Sequence, residues 1–390
     1  MDLAIIEQGV IPFFLSLRDL MSLRLVSRGF CSSLTDKLVR LNICLDVFDV
    51  TSESPSILPA NVGRVFPWIQ HLHFYHMHDM RIKLVFPEII NELRNVKELH
   101  VHGFVFDEYT LHSISDSLYS GLKKIALDST TRKFQGSIIE QDGDSTMDEI
   151  ESSSASLTNM IYKLSPFKLV SLNLQGCLLD DNLVHSICKY FFVLEDLCLA
   201  NCMAISTPKF LFSSPVIRTL DLNHCFKLKF IDFGAPQDAS QVKFLNLSDC
   251  FNLKMFPEID CGFEEIKLLG CYMLDQFTID SNRIKCIDLR HCMNLASVKI
   301  LSTSLENLQL SVCPSLDSVH FQGNSLRFLD LALSKRLTRV LLESSSIEHL
   351  SLCGCSSLNS LHLSCPNLKP ENLLLYGTSF FSSEIGVTEA

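Results

Sequence analysis

The chain has 390 residues, of which 47% are hydrophobic, so it can bury a large core or two domains. Its formal net charge of -11 disfavours nucleic-acid binding, because a negative surface repels phosphate backbones. No apolar run is long enough to cross a membrane, and the N-terminus lacks the basic flank and cleavage site of a signal peptide. We therefore expect a cytoplasmic or nuclear protein whose 16 cysteines are reduced.

The first predicted element is a helical module within residues 1–45. In the segment 15–34, LSLRDLMSLRLVSRGFCSSL, apolar residues recur at steps of three and four, as on one face of a helix. Ser16 and Asp19 fit a capping box at the start of that helix. Because an isolated helical pair is marginally stable, this face needs a partner surface or must pack on the following repeats.

Residues 46–131 hold three weak copies of a repeated pattern of alternating apolar residues: Ile69-QH-Leu72-H-Phe74, Val96-KE-Leu99-H-Val101 and Leu122-KK-Ile125-A-Leu127. This part is rich in histidines: His71, His73, His76, His78, His100 and His102. Of these, His71 and His73 are expected to share a strand face, with His100 beside His73 in the next coil. Clustered imidazoles can bind zinc, but no cysteine or carboxylate completes a recognised spacing. A neutral polar surface is the favoured interpretation, and no metal or cofactor is predicted.

Residues 132–166 are predicted to be an insertion loop. The stretch EQDGDSTMDEIESSSAS within it is acidic, rich in serine and poor in large apolar residues. Such a composition favours a solvated loop over a packed element, with a phosphorylated or partner-contacting loop as the alternative.

Residues 167–378 form a regular repeat, and residues 379–390 are predicted to be a flexible tail. Each copy reads L-x-x-L-x-L-x-x-C-x-x-L, as in Ile284-KC-Ile287-D-Leu289-RH-Cys292-MN-Leu295, and from Cys250 to Cys355 the period is 21 residues. This matches the leucine-rich repeat, whose L-x-L pair forms a short strand. Ser334 replaces cysteine in one copy. Eight cysteines are thereby predicted to be small buried residues with a structural role: Cys177, Cys202, Cys225, Cys250, Cys271, Cys292, Cys313 and Cys355.

The second half of each 21-residue copy also alternates, as in Val298 with Ile300 and Val319 with Phe321. We therefore predict an α/β solenoid, a leucine-rich-repeat horseshoe whose C-terminal coils are rich in β-structure on both sides. The looser copies upstream have room for helices, and residues 180–191, DDNLVHSICKYF, are predicted to form one.

The N-terminal segment resembles an F-box. The second half of that family's motif, approximately L-x-x-x-D-L-x-x-x-x-x-V-S-R-x-F, is matched by Leu15, Asp19-Leu20, Val26-Ser27-Arg28 and Phe30. Together with the repeats, the chain resembles the F-box/leucine-rich-repeat family, most closely its plant members. Residues 3–11, LAIIEQGVI, have no proline and no glutamate at the spacing with which the family opens, so a degenerate F-box is the alternative.

This resemblance implies a substrate receptor of a Skp–cullin–F-box ubiquitin ligase. The F-box would bind the Skp adaptor, and through it a cullin, with an apolar face. Ubiquitin transfer would occur on other subunits, so the chain itself would be no enzyme; phosphate-binding loops and nucleophile motifs are also absent from its sequence. The predicted adaptor-binding residues are Leu15, Leu17, Leu20, Leu23, Val26 and Phe30.

The residue between the two leucines of each L-x-L strand, and the residue that follows the second leucine, are expected to point outward and to line a concave wall that binds an unidentified target protein. Its aspartates favour a basic or amide-rich peptide. The alternatives are a stand-alone repeat scaffold, or a sensor that binds a small hormone-like molecule through Lys267 and Arg290. The predicted wall residues are Asp221, Asn246, Lys267, Asp288, Arg290, Gln309 and Asp330.

Overall fold

The computed structural model describes residues 71–74, 96–102, 121–128, 157–164, 168–211, 217–234, 242–257 and 262–380. These residues belong to two units, Met1–Cys177 and Leu178–Ala390. Most of the predicted insertion loop and all of the predicted adaptor-binding residues lie outside the described residues: Leu15, Leu17, Leu20, Leu23, Val26 and Phe30. The helical F-box module and the horseshoe shape therefore stay predictions.

The first unit contains four parallel strands that pair in chain order. Their buried residues are those of the weak sequence copies, such as Leu99, Val101 and Ile125. This confirms that the repeat begins before the regular array. The strands are β1 His71–Phe74, β2 Glu98–His102, β3 Lys124–Asp128 and β4 Ser171–Asn173.

A helix, α1, spans residues 157–164 between β3 and β4. It corrects the predicted loop over 132–166, whose last part is helical. The physical reason is an apolar stripe at helical spacing, because Leu157, Met160, Ile161 and Leu164 are all buried. The serine-rich stretch just before these residues favoured a loop in the sequence analysis, and the apolar spacing was therefore overlooked.

The second unit begins with the helix α2, Asp181–Tyr190, which confirms the helix predicted over residues 180–191. Asp180 caps it, accepting a hydrogen bond of 2.8 Å from the backbone N–H of Leu183. Leu183, Val184 and Ile187 are buried on one face of α2.

The main sheet of the second unit has nine parallel strands, each supplied by one coil of the chain. The central residue of each of the first eight is buried and its neighbours are more exposed, as expected for an L-x-L strand. The strands are β5 Asp196–Cys198, β6 Thr219–Asp221, β7 Phe244–Asn246, β8 Glu265–Lys267, β10 Cys286–Asp288, β12 Asn307–Gln309, β14 Phe328–Asp330, β16 His349–Ser351 and β18 Leu373–Leu374.

A second parallel sheet of five strands is formed by the other side of the same coils. It confirms that the 21-residue copies carry β-structure on both sides. Val298 pairs with Val319 and Ile300 with Phe321, so the alternating apolar residues stack on one another inside the solenoid. The strands are β9 Gln276–Asp280, β11 Ser297–Leu301, β13 Ser318–Gln322, β15 Arg339–Glu343 and β17 Ser360–Ser364, and a 3₁₀ turn at Pro370–Asn372 precedes β18.

The eight cysteines predicted to be structural are completely buried, and none of the 13 cysteines in the described residues forms a disulfide. From Cys225 onward the thiol of each ladder cysteine donates to a carbonyl of the preceding coil; the distance from Cys225 to Leu199 is 3.2 Å and that from Cys313 to Leu289 is 3.3 Å. Burial raises the pKa of both thiols to about 12. The thiols therefore stay protonated and act as donors.

The residue before each ladder position has a left-handed backbone, with φ between 57° and 80° in nine successive coils. This conformation turns the chain away from the main sheet at the same point of every coil. Glycine, asparagine and aspartate adopt it readily, whereas a bulky or β-branched residue is strained there. The nine residues are Asn201, His224, Asp249, Gly270, His291, Val312, Leu333, Gly354 and Gly377.

Candidate functional site

The outward side chains of the nine-stranded sheet, here called the wall, include a continuous row of the predicted target-binding residues. Strand register places each residue of the row beside the next. Arg290 lies on the same face, two residues after Asp288. The placement agrees with the sequence pattern, and the binding role of these residues stays a prediction. In order along the sheet the row contains Asp221, Asn246, Lys267, Asp288, Gln309 and Asp330.

Four residues of this row also have a local structural role. Oδ1 of Asp221 accepts a hydrogen bond of 2.9 Å from the backbone N–H of Asn223, two residues later, and Oδ1 of Asp330 accepts one of 3.0 Å from that of Ala332. Asn246 and Asp288 form the same turn. Such side chains satisfy a backbone donor where the strand ends. One oxygen of each is therefore occupied by the protein itself.

The two cations predicted to bind a small ligand are both paired within the wall. Nε of Arg290 lies 3.0 Å from Oδ1 of Asp288, and its Nη2 lies 2.7 Å from Oδ2. Nζ of Lys267 lies 3.0 Å from a carboxylate oxygen of Glu265. The hydrogen bonds to Asp288 raise the pKa of Arg290. Both cations are therefore already engaged by carboxylates of the wall itself, and the sensor hypothesis stays a prediction.

A second outward row was missed in the sequence. It consists of the residue immediately before the buried leucine of each strand, which points outward because side chains alternate along a strand. Phe244 is 43% exposed and Phe328 is 48% exposed. In the sequence, this row could have been found by comparing, between aligned copies, the residue that precedes the first leucine of each L-x-L pair. The row contains Thr219, Phe244, Glu265, Cys286, Asn307, Phe328 and His349.

A third row, one residue earlier, holds an ionic bridge across three coils. The carboxylate of Glu264 lies 2.8 Å from Nζ of Lys243 and 2.9 Å from Nζ of Lys285. Hydrogen bonds from the two ammonium groups lower the pKa of Glu264 to about 2. Glu264 is therefore ionised at neutral pH, and its one negative charge is shared between two lysines.

Three aromatic rings form a stack at the turn beyond the wall. The ring centroids of Phe226 and Phe251 are 4.9 Å apart, and those of Phe251 and Tyr272 are 4.7 Å apart, with nearly parallel planes. The spacing is that of adjacent strands, so the stack follows the solenoid axis. It holds these three coils in register.

In the first unit, register places His73 beside His100. This is the pairing that the zinc hypothesis required. Among the residues whose side chains are described, however, no group of three or more histidine, cysteine, aspartate or glutamate residues is arranged to hold a metal ion. None of the described helices is long and apolar enough to cross a membrane.

No protein-family model matches the chain, and no curated protein matches it significantly. Among solved structures, a crystal structure of a TLR13–ssRNA13 complex matches with 16% sequence identity and a TM-score of 0.32. The match covers 77% of this chain and 51% of that chain, so this chain corresponds to about half of the length of the matched one. The strand register itself therefore assigns the fold: the described chain is a parallel β-solenoid with leucine-rich-repeat-like coils.

Proposed function

We propose that the chain is the target-recognition subunit of a Skp–cullin–F-box ubiquitin ligase. The observation that supports it best is the wall, a continuous surface of in-register outward side chains on nine parallel strands. Residues 15–34, which resemble an F-box, would bind the Skp adaptor. The chain would then hold a target protein near the subunits that transfer ubiquitin, and would contribute proximity and orientation without any chemistry of its own.

The wall is suited to binding a protein because its side chains are held in place before a partner arrives. The strands from β6 to β16 in this sheet are each paired on both sides by their neighbours, so little backbone freedom is lost on binding. Phe244 and Phe328 offer exposed aromatic rings, the residue class that dominates binding energy in protein interfaces. The paired charges around them contribute to specificity more than to affinity.

Adaptor binding is the property that separates this proposal from a stand-alone repeat scaffold. The test is a pull-down of the purified full-length chain with the Skp adaptor, beside a Leu20→Asp/Val26→Asp variant. The two carboxylates would be placed on the apolar stripe, so we expect at least about a tenfold loss of adaptor binding. A Ser22→Asp/Ser32→Asp variant adds the same charge at polar positions of the same predicted helix and should bind normally.

Melting temperatures of all variants establish that the repeats remain folded. Failure of the folded wild-type chain to bind the adaptor would contradict the ligase proposal. Equal binding by the wild-type chain and the Leu20→Asp/Val26→Asp variant would contradict the assignment of the docking face.

A further inference from the structure

Large apolar side chains are exposed in the last three coils of the wall, beside its polar rows. Leu374 is 52% exposed and Tyr376 is 88% exposed, and they lie two residues apart in and just after β18. Leu333, two coils earlier, is 52% exposed. These three residues are here called the terminal apolar patch.

Backbone hydrogen bonds show that the members of the terminal apolar patch lie on neighbouring rows. The N–H of Leu333 donates to the carbonyl of Cys353, and the N–H of Gly354 donates to that of Tyr376, each at 2.8 Å. The positions corresponding to Leu333 in the next two coils are Gly354 and Gly377. The patch therefore has a floor of bare backbone next to the Leu333 side chain.

The Leu333 side chain takes the space over Gly354, whereas a Cβ on Gly377 would meet, among the described residues, only backbone atoms of Gly354, at 3.4 and 3.5 Å, so the open part of this floor lies over Gly377. Leu333 Cδ2 lies 3.1 Å from the position that a Cβ on Gly354 would take, so the leucine leans over the first glycine. The surface here is a step, that is, a shallow depression with glycine backbone at its base and the side chains of Leu333 and Tyr376 at its sides. Such a depression can accept one large apolar side chain.

Cations beside the patch are not neutralised internally. Lys335 and Arg336 follow Leu333 in the same turn, are both exposed, and have no ion-pair partner among the described residues. In the preceding coils Lys227 and Arg327 are likewise exposed without an ion-pair partner among the described residues. Five other cations near the wall do have carboxylate partners: Arg218, Lys243, Lys267, Lys285 and Arg290. The uncommitted positive charge near the patch is therefore the feature that a partner would complement.

We propose that the terminal apolar patch binds a segment of the target protein in which a large apolar side chain is flanked by aspartate or glutamate. The apolar side chain occupies the step beside Leu333, and the acidic residues pair with Lys335 and Arg336. This inference rests on the proposed function, since it names the class of target segment. It differs from the basic peptide expected from the wall aspartates, whose Oδ1 atoms are engaged by backbone N–H groups.

The test is a selection of random 12-residue peptides displayed on phage against the full-length chain. Counter-selection uses a Leu333→Asn/Tyr376→Ser variant. Asparagine tolerates the left-handed backbone at residue 333, so this variant should fold at least as well as the wild type, which its melting temperature will show. We expect the enriched peptides to carry one large apolar residue next to two or more acidic residues.

Charge reversal provides the second arm. A Lys335→Glu/Arg336→Glu variant should bind the best selected peptide about tenfold more weakly at low salt, and the difference should shrink as salt is added. A matched Lys299→Glu/Arg339→Glu variant, which changes the charge equally on β11 and β15, should bind within about twofold of the wild type.

Enrichment of basic or uncharged peptides, equal binding by the Lys335→Glu/Arg336→Glu variant, or no enrichment at all would overturn the inference. The selection contains no adaptor, so each of these results would leave adaptor binding by residues 15–34 unaffected. Conversely, loss of the ligase proposal would not change the outcome of the selection.

Discussion

Cys313 and Ser334 occupy the same buried position in successive coils, but only Cys313 reaches a carbonyl. The Cys313 thiol donates to the carbonyl of Leu289 at 3.3 Å, whereas the Ser334 hydroxyl has no hydrogen-bond partner within the described part of the chain. The C–O bond is shorter than the C–S bond, so the serine oxygen stops short of the equivalent carbonyl, that of Leu310. A buried hydroxyl without a partner costs free energy that a thiol in the same place would not.

Ser334→Cys is therefore expected to stabilise the protein. Completing the thiol ladder should raise the free energy of unfolding by about 1 kcal/mol, measured by urea denaturation under reducing conditions. Cys313→Ser is the reciprocal control and should destabilise the chain by a similar amount. A lower midpoint for Ser334→Cys than for the wild type would show that the site cannot hold the larger sulfur.

Val312 stores backbone strain at a left-handed position. Its φ is 60°, a value that a β-branched residue adopts at a cost. Val312→Asn should raise the free energy of unfolding by about 1 kcal/mol, because asparagine adopts this conformation more easily. Val319→Asn places the same residue in an extended, buried site of β13 and should destabilise the chain. A decrease in melting temperature for Val312→Asn would contradict the strain assignment.

Gly323 is required for close approach between coils rather than for its φ angle. A Cβ on Gly323 would overlap the backbone carbonyl oxygen of Ser302 in the preceding coil. Because a backbone atom cannot move aside as a side chain can, Gly323→Ala should cost more than about 2 kcal/mol. At Gly354 the nearest atom is the end of the Leu333 side chain, so Gly354→Ala should cost less, about 1 kcal/mol for the left-handed backbone of that residue. Equal losses in thermal unfolding would exclude this explanation.

The ionic bridge at Glu264 predicts a defined pH dependence. Lys243 and Lys285 lower the pKa of Glu264 from 4.5 to about 2. A carboxyl whose pKa is lower in the folded state contributes stability that is fully present above its unfolded pKa and is lost as the pH falls through the folded one. The stability difference between the wild type and Glu264→Gln should therefore be largest above pH 4.5 and should disappear toward pH 2.

Denaturation of both proteins at several pH values measures this difference, and 1 M NaCl provides the control. The bridge is solvent-accessible, so salt should reduce the difference at neutral pH. A difference that is unchanged between pH 6 and pH 2 would mean that Glu264 acts through packing and not through its charge.

The parts of the fold that follow a strict period could be predicted from the sequence. The position of Cys292, Leu289 and their equivalents repeats in every coil, so both sheets and the buried thiols were predictable from spacing alone. The helix α1 was missed because its apolar residues directly follow a run of serines. The composition of residues 132–166 as a whole is that of a loop, and it outweighed the helical spacing of only eight residues.

The wall was predicted less completely because it depends on side-chain partners. The row containing Asp288 was found by alternation, but its hydrogen bonds to Arg290 depend on rotamers that a repeat pattern does not encode. Phe244 and Phe328 were overlooked because the consensus places no requirement on their position. Positions that the repeat consensus leaves free show no periodic signal, so the residues there cannot be found from the period.

The central claim is that one chain connects a target to a ubiquitin ligase, and target half-life tests it most directly. Protein half-lives would be measured across the proteome in cells lacking the chain, then after return of the wild type, Leu20→Asp/Val26→Asp or Phe244→Asp/Phe328→Asp. We predict one or a few proteins whose lifetime lengthens without the chain and is shortened again by the wild type alone. Full rescue by either variant, or no protein with a changed half-life, would contradict the account.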